Sequence, residues 1–227
     1  MFKALFSIIS IVFAMSVYAD DSFLNECKKL PVPSIEVSYE EVQAGFDNSK
    51  SILDLTNIKD KGVANLAGAV VTGLVTSDGT YKQELNMNAI KDNATGRICG
   101  TPIVKIKLFY ANVVLNVAKE YKEGTCAFNE IKAHEEHHVA ILSEFVKESQ
   151  AIVLQKLTDE FTNNIQIVAP GESVGRLMAD KVRKISMEQL ALVTNHQLEF
   201  DSKDEYARVA KLCNGDINKI AKKVSPN

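Results

Sequence analysis

At Gly124 the apolar periodicity of the chain changes, and a chain that changes period must fold as two kinds of secondary structure. Before this point apolar residues alternate, as in Ile35, Val37 and Tyr39, or Val104, Ile106 and Leu108. After it they recur at helical spacing through Ile131, Ile141, Leu142, Phe145, Ile152 and Leu157. A period of two buries one face of a sheet, and a period of 3.6 buries one stripe of a helix. The expected class is therefore α+β: a mainly antiparallel β-sheet over residues 32–123, followed by a helical part over 125–227, within a single domain spanning 20–227.

Within the first part, Ser34 to Gln43 reads as a strand, and Asp47-Asn48-Ser49 as a turn or helix start before Ile52, Leu53 and Leu55. Ala69 to Met87 reads as a hairpin turning at Asp78-Gly79, because Asp-Gly supplies the backbone freedom of a tight turn. A loop around 93–100 then leads to strands over Ile103–Tyr110 and Val113–Tyr121. In the second part a long helix runs from Ala127 to about Phe161. Asn163-Asn164 and Pro170-Gly171 interrupt the pattern. Ser173 then caps a helix whose stripe is Val174, Met178, Val182, Ile185, Val193 and Phe200, with His196 on it. Ser202 to Glu205 forms a capping box for a third helix ending at Asn214-Gly215, and an amphipathic tail follows from Asp216 to Val224.

Residues 1–19 carry one charge, Lys3, then an apolar run from Ala4 to Val17 and a small-residue site at Val17-Tyr18-Ala19, the pattern of a cleaved secretory signal. The run is short for a membrane span, which needs about 20 apolar residues. The expected location is secreted or periplasmic, with no stable membrane span after cleavage. Loss of Lys3 moves the formal net charge from −3 to about −4, a balance that gives no electrostatic footprint for nucleic acid. In an exported chain the four cysteines, Cys27, Cys99, Cys126 and Cys213, read as two disulfides. Of the three connectivities, Cys99–Cys126 with Cys27–Cys213 is preferred: the first pair brackets a single strand-like block and the second ties both ends of the domain.

Three of the four histidines fall in His134-Glu135-Glu136-His137-His138, which contains H-E-x-x-H. A match by chance is expected in about one such chain in a hundred at average composition. On a helix the spacing places two imidazoles on one face, about 6 Å apart along the axis, with a carboxylate beside them. This is the arrangement that holds Zn2+ and a catalytic base. His134 and His138 are thus candidate metal ligands and Glu135 the candidate general base. Both histidines lie on the stripe of Ile131, Ile141 and Phe145 and face the core or a cleft in it. A third ligand must come from elsewhere. Glu144 would sit about 9 Å beyond His138 on an unbroken helix and falls out of reach. His196, the one other histidine on a buried stripe, is chosen, with Glu199, Asp201 and Glu205 as alternatives. Glu130 is a candidate hydrogen-bond partner for an imidazole, His137 a neighbour of the site, and Tyr206 a candidate oxyanion donor.

Gly124-Thr-Cys-Ala-Phe with His134-Glu-Glu-His-His-Val, then His196-Gln-Leu-Glu-Phe-Asp-Ser-Lys-Asp-Glu-Tyr-Ala-Arg and Cys213, resembles a group of uncharacterised secreted bacterial proteins described as zinc-dependent metallopeptidases. The resemblance covers the C-terminal half in motifs. It implies a small sheet followed by an H-E-x-x-H helix, with His134, His138 and Glu135 in the zincin roles, and carries no ligand role to His196. The resulting expectation is an exported zinc hydrolase, a metallopeptidase acting on protein or peptide, cell-wall peptide included. The alternative is a non-catalytic exported domain that binds metal or an envelope partner.

Overall fold

The computed structural model describes residues 22–62 and 70–224, without the side chains of 59–62. The secretory signal expected over 1–19, and Ala69 at the start of the expected hairpin, lie outside the described residues. The elements run α1 (22–27), β1 (Ser34–Tyr39), β2 (Gly45–Asp47), α2 (Ile52–Gly62), β3 (Gly73–Lys91), β4 (Ile98–Val117), α3 (Cys126–Asn163), β5 (Gln166–Val168), α4 (Val174–Ala191), α5 (Val193–Phe200), α6 (Lys203–Lys211) and α7 (Asp216–Val224). The class is α+β, a five-stranded sheet followed by long helices. No helix among the described residues is long and apolar enough to cross a membrane.

β4 is the hub of the sheet and pairs with each of the other strands. One of its faces is buried along the strand, through Val104, Ile106, Leu108 and Tyr110. The sheet is not purely antiparallel. β2 lies parallel to β4, with Gly45 opposite Val114 and Asp47 opposite Asn116, whereas β5 is antiparallel to it, with Ile98 opposite Val168. β2 and β5 are three residues each, too short to show a period.

The expected hairpin turn at Asp78-Gly79 is not a turn. β3 runs straight through it for 19 residues, and the strands expected over 103–110 and 113–121 are one continuous strand of 20 residues. The reversal comes at 92–97, where the Asp92 N–H donates to Arg97 O at 2.9 Å and the Gly96 N–H to Asp92 O at 2.7 Å, Gly96 taking φ 75°. Asp78-Gly79 nevertheless marks an irregularity. Across the ladder Asn112 takes φ 53° and its side-chain amide donates to the Asp78 carboxylate at 2.8 Å. A Cβ on Gly79 would stand 3.1 Å from the Tyr110 ring and 3.4 Å from Leu190 Cβ. The glycine serves close packing instead of chain reversal.

The chain divides into two compact units, and the long elements β3, β4, α3 and α4 contribute to both. Among the described residues the first comprises 22–37, 83–106 and 153–185. In it Phe23, Cys27 and Cys99 form a buried cluster with Leu30, Ile90 and Ile167 against it, around a Cys27–Cys99 disulfide. The second comprises 38–82, 107–152 and 186–227. Its core joins Ile52 and Leu55 of α2, Leu115 and Val117 of β4, Phe128 and Ile131 of α3 and Ile217 of α7. Ser51 and Asp54 cap α2 reciprocally, Asp54 N–H to Ser51 Oγ at 3.1 Å and Ser51 N–H to Asp54 Oδ2 at 2.9 Å. Here Cys126 is bonded to Cys213.

Both expected disulfide pairings are thereby corrected. The Cys99–Cys126 pairing rested on the two residues bracketing a single strand-like block, which would have to reverse to bring them together. Instead β4 continues past Cys99 to Val117 without reversing, at about 3.3 Å per residue, and carries the chain away from that cysteine.

Candidate metal centre

The site is built within the second unit, on α3, α5, α6 and the first residues of β3. Gly124 takes φ 76°, and the Thr125 hydroxyl accepts the Phe128 N–H at 3.3 Å, so the chain enters α3 through an N-cap. From there Ile131, Leu142 and Val146, all fully buried, hold one face of the helix inward. His134 and His138 project one turn apart from it, each side chain only 9% exposed.

Asp201 meets them from the junction between α5 and α6. Its own N–H donates to Gln197 O at 3.0 Å, closing α5, and the next residue, Ser202, opens α6 by accepting the Glu205 N–H at 3.2 Å. The capping box expected over Ser202–Glu205 is present on its serine side. Two helix ends thus fix where Asp201 points. Its Oδ1 lies 3.2 Å from His134 Nε2 and 3.1 Å from His138 Nε2, and the two Nε2 atoms are 3.2 Å apart. Three corners of a coordination tetrahedron with bonds of 2.0–2.1 Å are about 3.3 Å apart. Among the described residues, His134, His138 and Asp201 form the group that brings three such donors together. It can hold a metal ion, with two imidazoles and one carboxylate as ligands.

The remaining ring nitrogens are also engaged, which sets which nitrogen faces the centre. His134 Nδ1 lies 3.1 Å from Glu205 Oε1. Glu205 is itself gripped by Arg208, Nε to Oε2 at 2.8 Å and Nη2 to Oε1 at 2.7 Å. His138 Nδ1 contacts Gln197 Oε1, and the Gln197 amide donates back to His138 O at 3.1 Å. The Phe200 ring stacks on His134 at 4.8 Å.

The electrostatics follow from these contacts. Burial lowers the pKa of both imidazoles, but their hydrogen bonds to Asp201, and to Glu205 in the case of His134, outweigh it and raise both above the ordinary histidine value. Asp201 is pushed up by burial and more strongly down by the two imidazoles, ending well below the usual carboxylate range. The Arg208 guanidinium, with His134 behind it, takes Glu205 down to about 2.

Glu135 is 5% exposed and burial pushes its carboxyl up to about 8, the Val75 N–H being its backbone hydrogen-bond donor. β3 reaches this close because residue 73 is glycine. A Cβ there would stand 2.5 Å from Glu135 Oε1 and 2.7 Å from Ile131 Cγ2, distances that no side chain tolerates. Tyr206, on the first turn of α6, hydrogen-bonds Asp201, and burial raises its hydroxyl above the usual tyrosine range.

The structure does not bring His196 to this group. It is exposed, and its ring rests 5.1 Å from that of Phe145. The helical stripe that pointed to it was carried from Val174 to Phe200 as one helix, but the helix breaks at Leu192. There Leu192 N–H bonds Gln189 O and Asn195 N–H bonds Leu192 O, both three residues back, which tightens the turn and resets the phase. Val193 and Gln197 turn inward as a result. Glu144 is exposed on the outer side of α3 with His137. Glu130 lies within electrostatic range of Arg208. Asp201 and Glu205 stood among the alternatives, whereas Gln197 carried no sign and Gly73 none beyond being a glycine between Thr72 and Leu74.

No protein-family model, no curated protein and no solved structure matches the chain.

Proposed function

We propose that this chain is an exported zinc-dependent hydrolase, a metallopeptidase with His134, His138 and Asp201 as ligands and Glu135 as general base. The observation that carries the reading is the triangle of donor atoms, 3.1–3.2 Å on each side, with a buried carboxylate next to it. Two imidazoles and a carboxylate that leave one position open suit zinc in hydrolytic sites. Zinc, when bound, supplies Lewis-acid polarisation of a water and of the scissile carbonyl. Glu135, held by the Val75 N–H, would be ionised once a cation sits beside it and would then take a proton from the water as the water's oxygen bonds to the carbonyl carbon. It then hands that proton to the amine as the C–N bond breaks. The Tyr206 hydroxyl, hydrogen-bonded to Asp201, would have to turn its proton from that carboxylate to the carbonyl oxygen to serve as an oxyanion donor. Two disulfides agree with an oxidising, extracytoplasmic setting.

The test is metal analysis followed by assay. Purified protein is expected to take up one zinc per chain and to hydrolyse peptide bonds, and Glu135→Gln to keep the zinc and lose the hydrolysis. A wild type that binds zinc stoichiometrically yet cleaves neither protein nor peptidoglycan would instead support a non-catalytic metal-binding domain.

A further inference from the structure

The groove beside Glu135 has a volume of about 700 Å³, within the range of sites that enclose several side chains of a ligand. One wall is β3. Every residue of β3 from Gly73 to Ser77 lines it, after Val70, Val71 and Thr72 just before the strand; consecutive and not alternate residues are how a strand contributes when it shows its edge. Among the described residues β3 pairs with β4 alone. Thr72 O accepts from Ala118 N–H at 2.9 Å and Leu74 O from the Asn116 side-chain amide at 2.8 Å. Alternation then turns the peptide groups of Gly73 and Val75 the other way, towards the groove, as the Val75 N–H bonded to Glu135 already is. The ligand chemistry that matches a strand edge is another extended backbone.

The charges of the lining are equally informative. Among its described residues there is no Lys or Arg, and the carboxylates are Glu135 and Asp201 alone. Both are engaged, one by the Val75 N–H and the other by two imidazoles. An exopeptidase has to hold a terminal carboxylate with a cation or a terminal ammonium with a spare carboxylate, because a buried unpaired charge costs several kcal/mol or more. The described residues of this lining offer neither. What it does offer is aliphatic surface left open to water: Ile58, Val70 and Leu198 are 36%, 37% and 41% exposed along it. Apolar surface clustered at a cleft marks a recognition site.

Building on the peptidase reading, we propose that the groove takes an internal, apolar stretch of extended polypeptide, so that the enzyme cuts within chains and not at their ends. Val70 and Leu198 are specificity residues, and the strand edge at Gly73, with the Val75 carbonyl, aligns the backbone, the Val75 N–H being kept by Glu135.

The experiment uses the zinc-loaded full chain, with Glu135→Gln as the blank, on reduced and unfolded β-casein and on short peptides in two forms, free-ended and acetylated plus amidated. Cleavage sites are mapped by mass spectrometry. Internal cuts are expected, with Leu, Ile, Val or Phe beside the scissile bond favoured over charged residues by about 10-fold or more, and with blocked peptides cut as fast as free ones. Leu198→Lys, a change at an exposed position, should move the preference towards acidic side chains. Cleavage that needs a free terminus, prefers charged neighbours, or occurs only on peptidoglycan stem peptides overturns this proposal and leaves the peptidase reading standing. Absence of any cleavage above the Glu135→Gln blank by zinc-loaded wild type overturns both.

Discussion

Two histidine clusters lie on neighbouring faces of the same two elements, α3 and the α5 region, and they differ in nearly everything except composition. His134 and His138 with Asp201 are close-packed and largely buried, and each imidazole has a second partner on its other nitrogen, Glu205 or Gln197. One residue further round, His137 and His196 line a hollow of about 320 Å³ with Glu144, Glu148 and Glu199. There the histidines rest on aromatic rings, His137 on Phe200 at 4.0 Å and His196 on Phe145 at 5.1 Å. The second cluster has more carboxylates and equally many imidazoles. Among the described residues it nevertheless does not bring three donor atoms within reach of one ion. Histidine and acid content therefore does not make a metal centre. Convergence does, enforced by burial and by partners that fix each ring.

The comparison is broken most severely at Glu135. Glu135→Gln is expected to lower kcat by about 10²–10⁴-fold with zinc content unchanged, while Glu144→Gln in the outer cluster leaves kcat alone; steady-state kinetics beside metal analysis separates the two. Asp201→Ala should weaken zinc binding by more than about 100-fold, beyond the usual loss for an outer partner, in competition with a chromophoric chelator. Glu205→Gln keeps the three ligands but loosens His134 and the contact to Arg208. The expected loss in zinc affinity is about 10–100-fold, and a value indistinguishable from wild type would remove the carboxylate from the site's support. At the bottom of the scale, His196→Ala and His137→Ala should bind zinc within about two-fold of wild type, the ordinary variation for a surface substitution. A large loss for His196→Ala would invert the comparison and return the third ligand to α5.

Much of the scaffold was legible locally. The helical period after Gly124, the Ser202 cap of α6 and the pairing of His134 with His138 all depend on residues within a few positions of each other. Other features were misread for one shared reason. Asp78-Gly79 carries the composition of a hairpin turn, yet the close approach of Tyr110 and Leu190 decides its use. Cys99 and Cys126 bracket an apolar block, yet whether they meet depends on whether that block reverses, and β4 does not.

By itself the sequence determined that the chain has a sheet part and a helical part, and that one helix presents two imidazoles with a carboxylate beside them. Periodicity settles such things because side chains within a turn or two share a backbone whose geometry is known in advance. Only the tertiary structure decided that Asp201 completes the group, that Glu205, Gln197 and Gly73 support it, and that Cys27 joins Cys99 and Cys126 joins Cys213. Each of these depends on the helical phase after the break at Leu192 or on strand register, quantities fixed by packing between segments far apart in the chain.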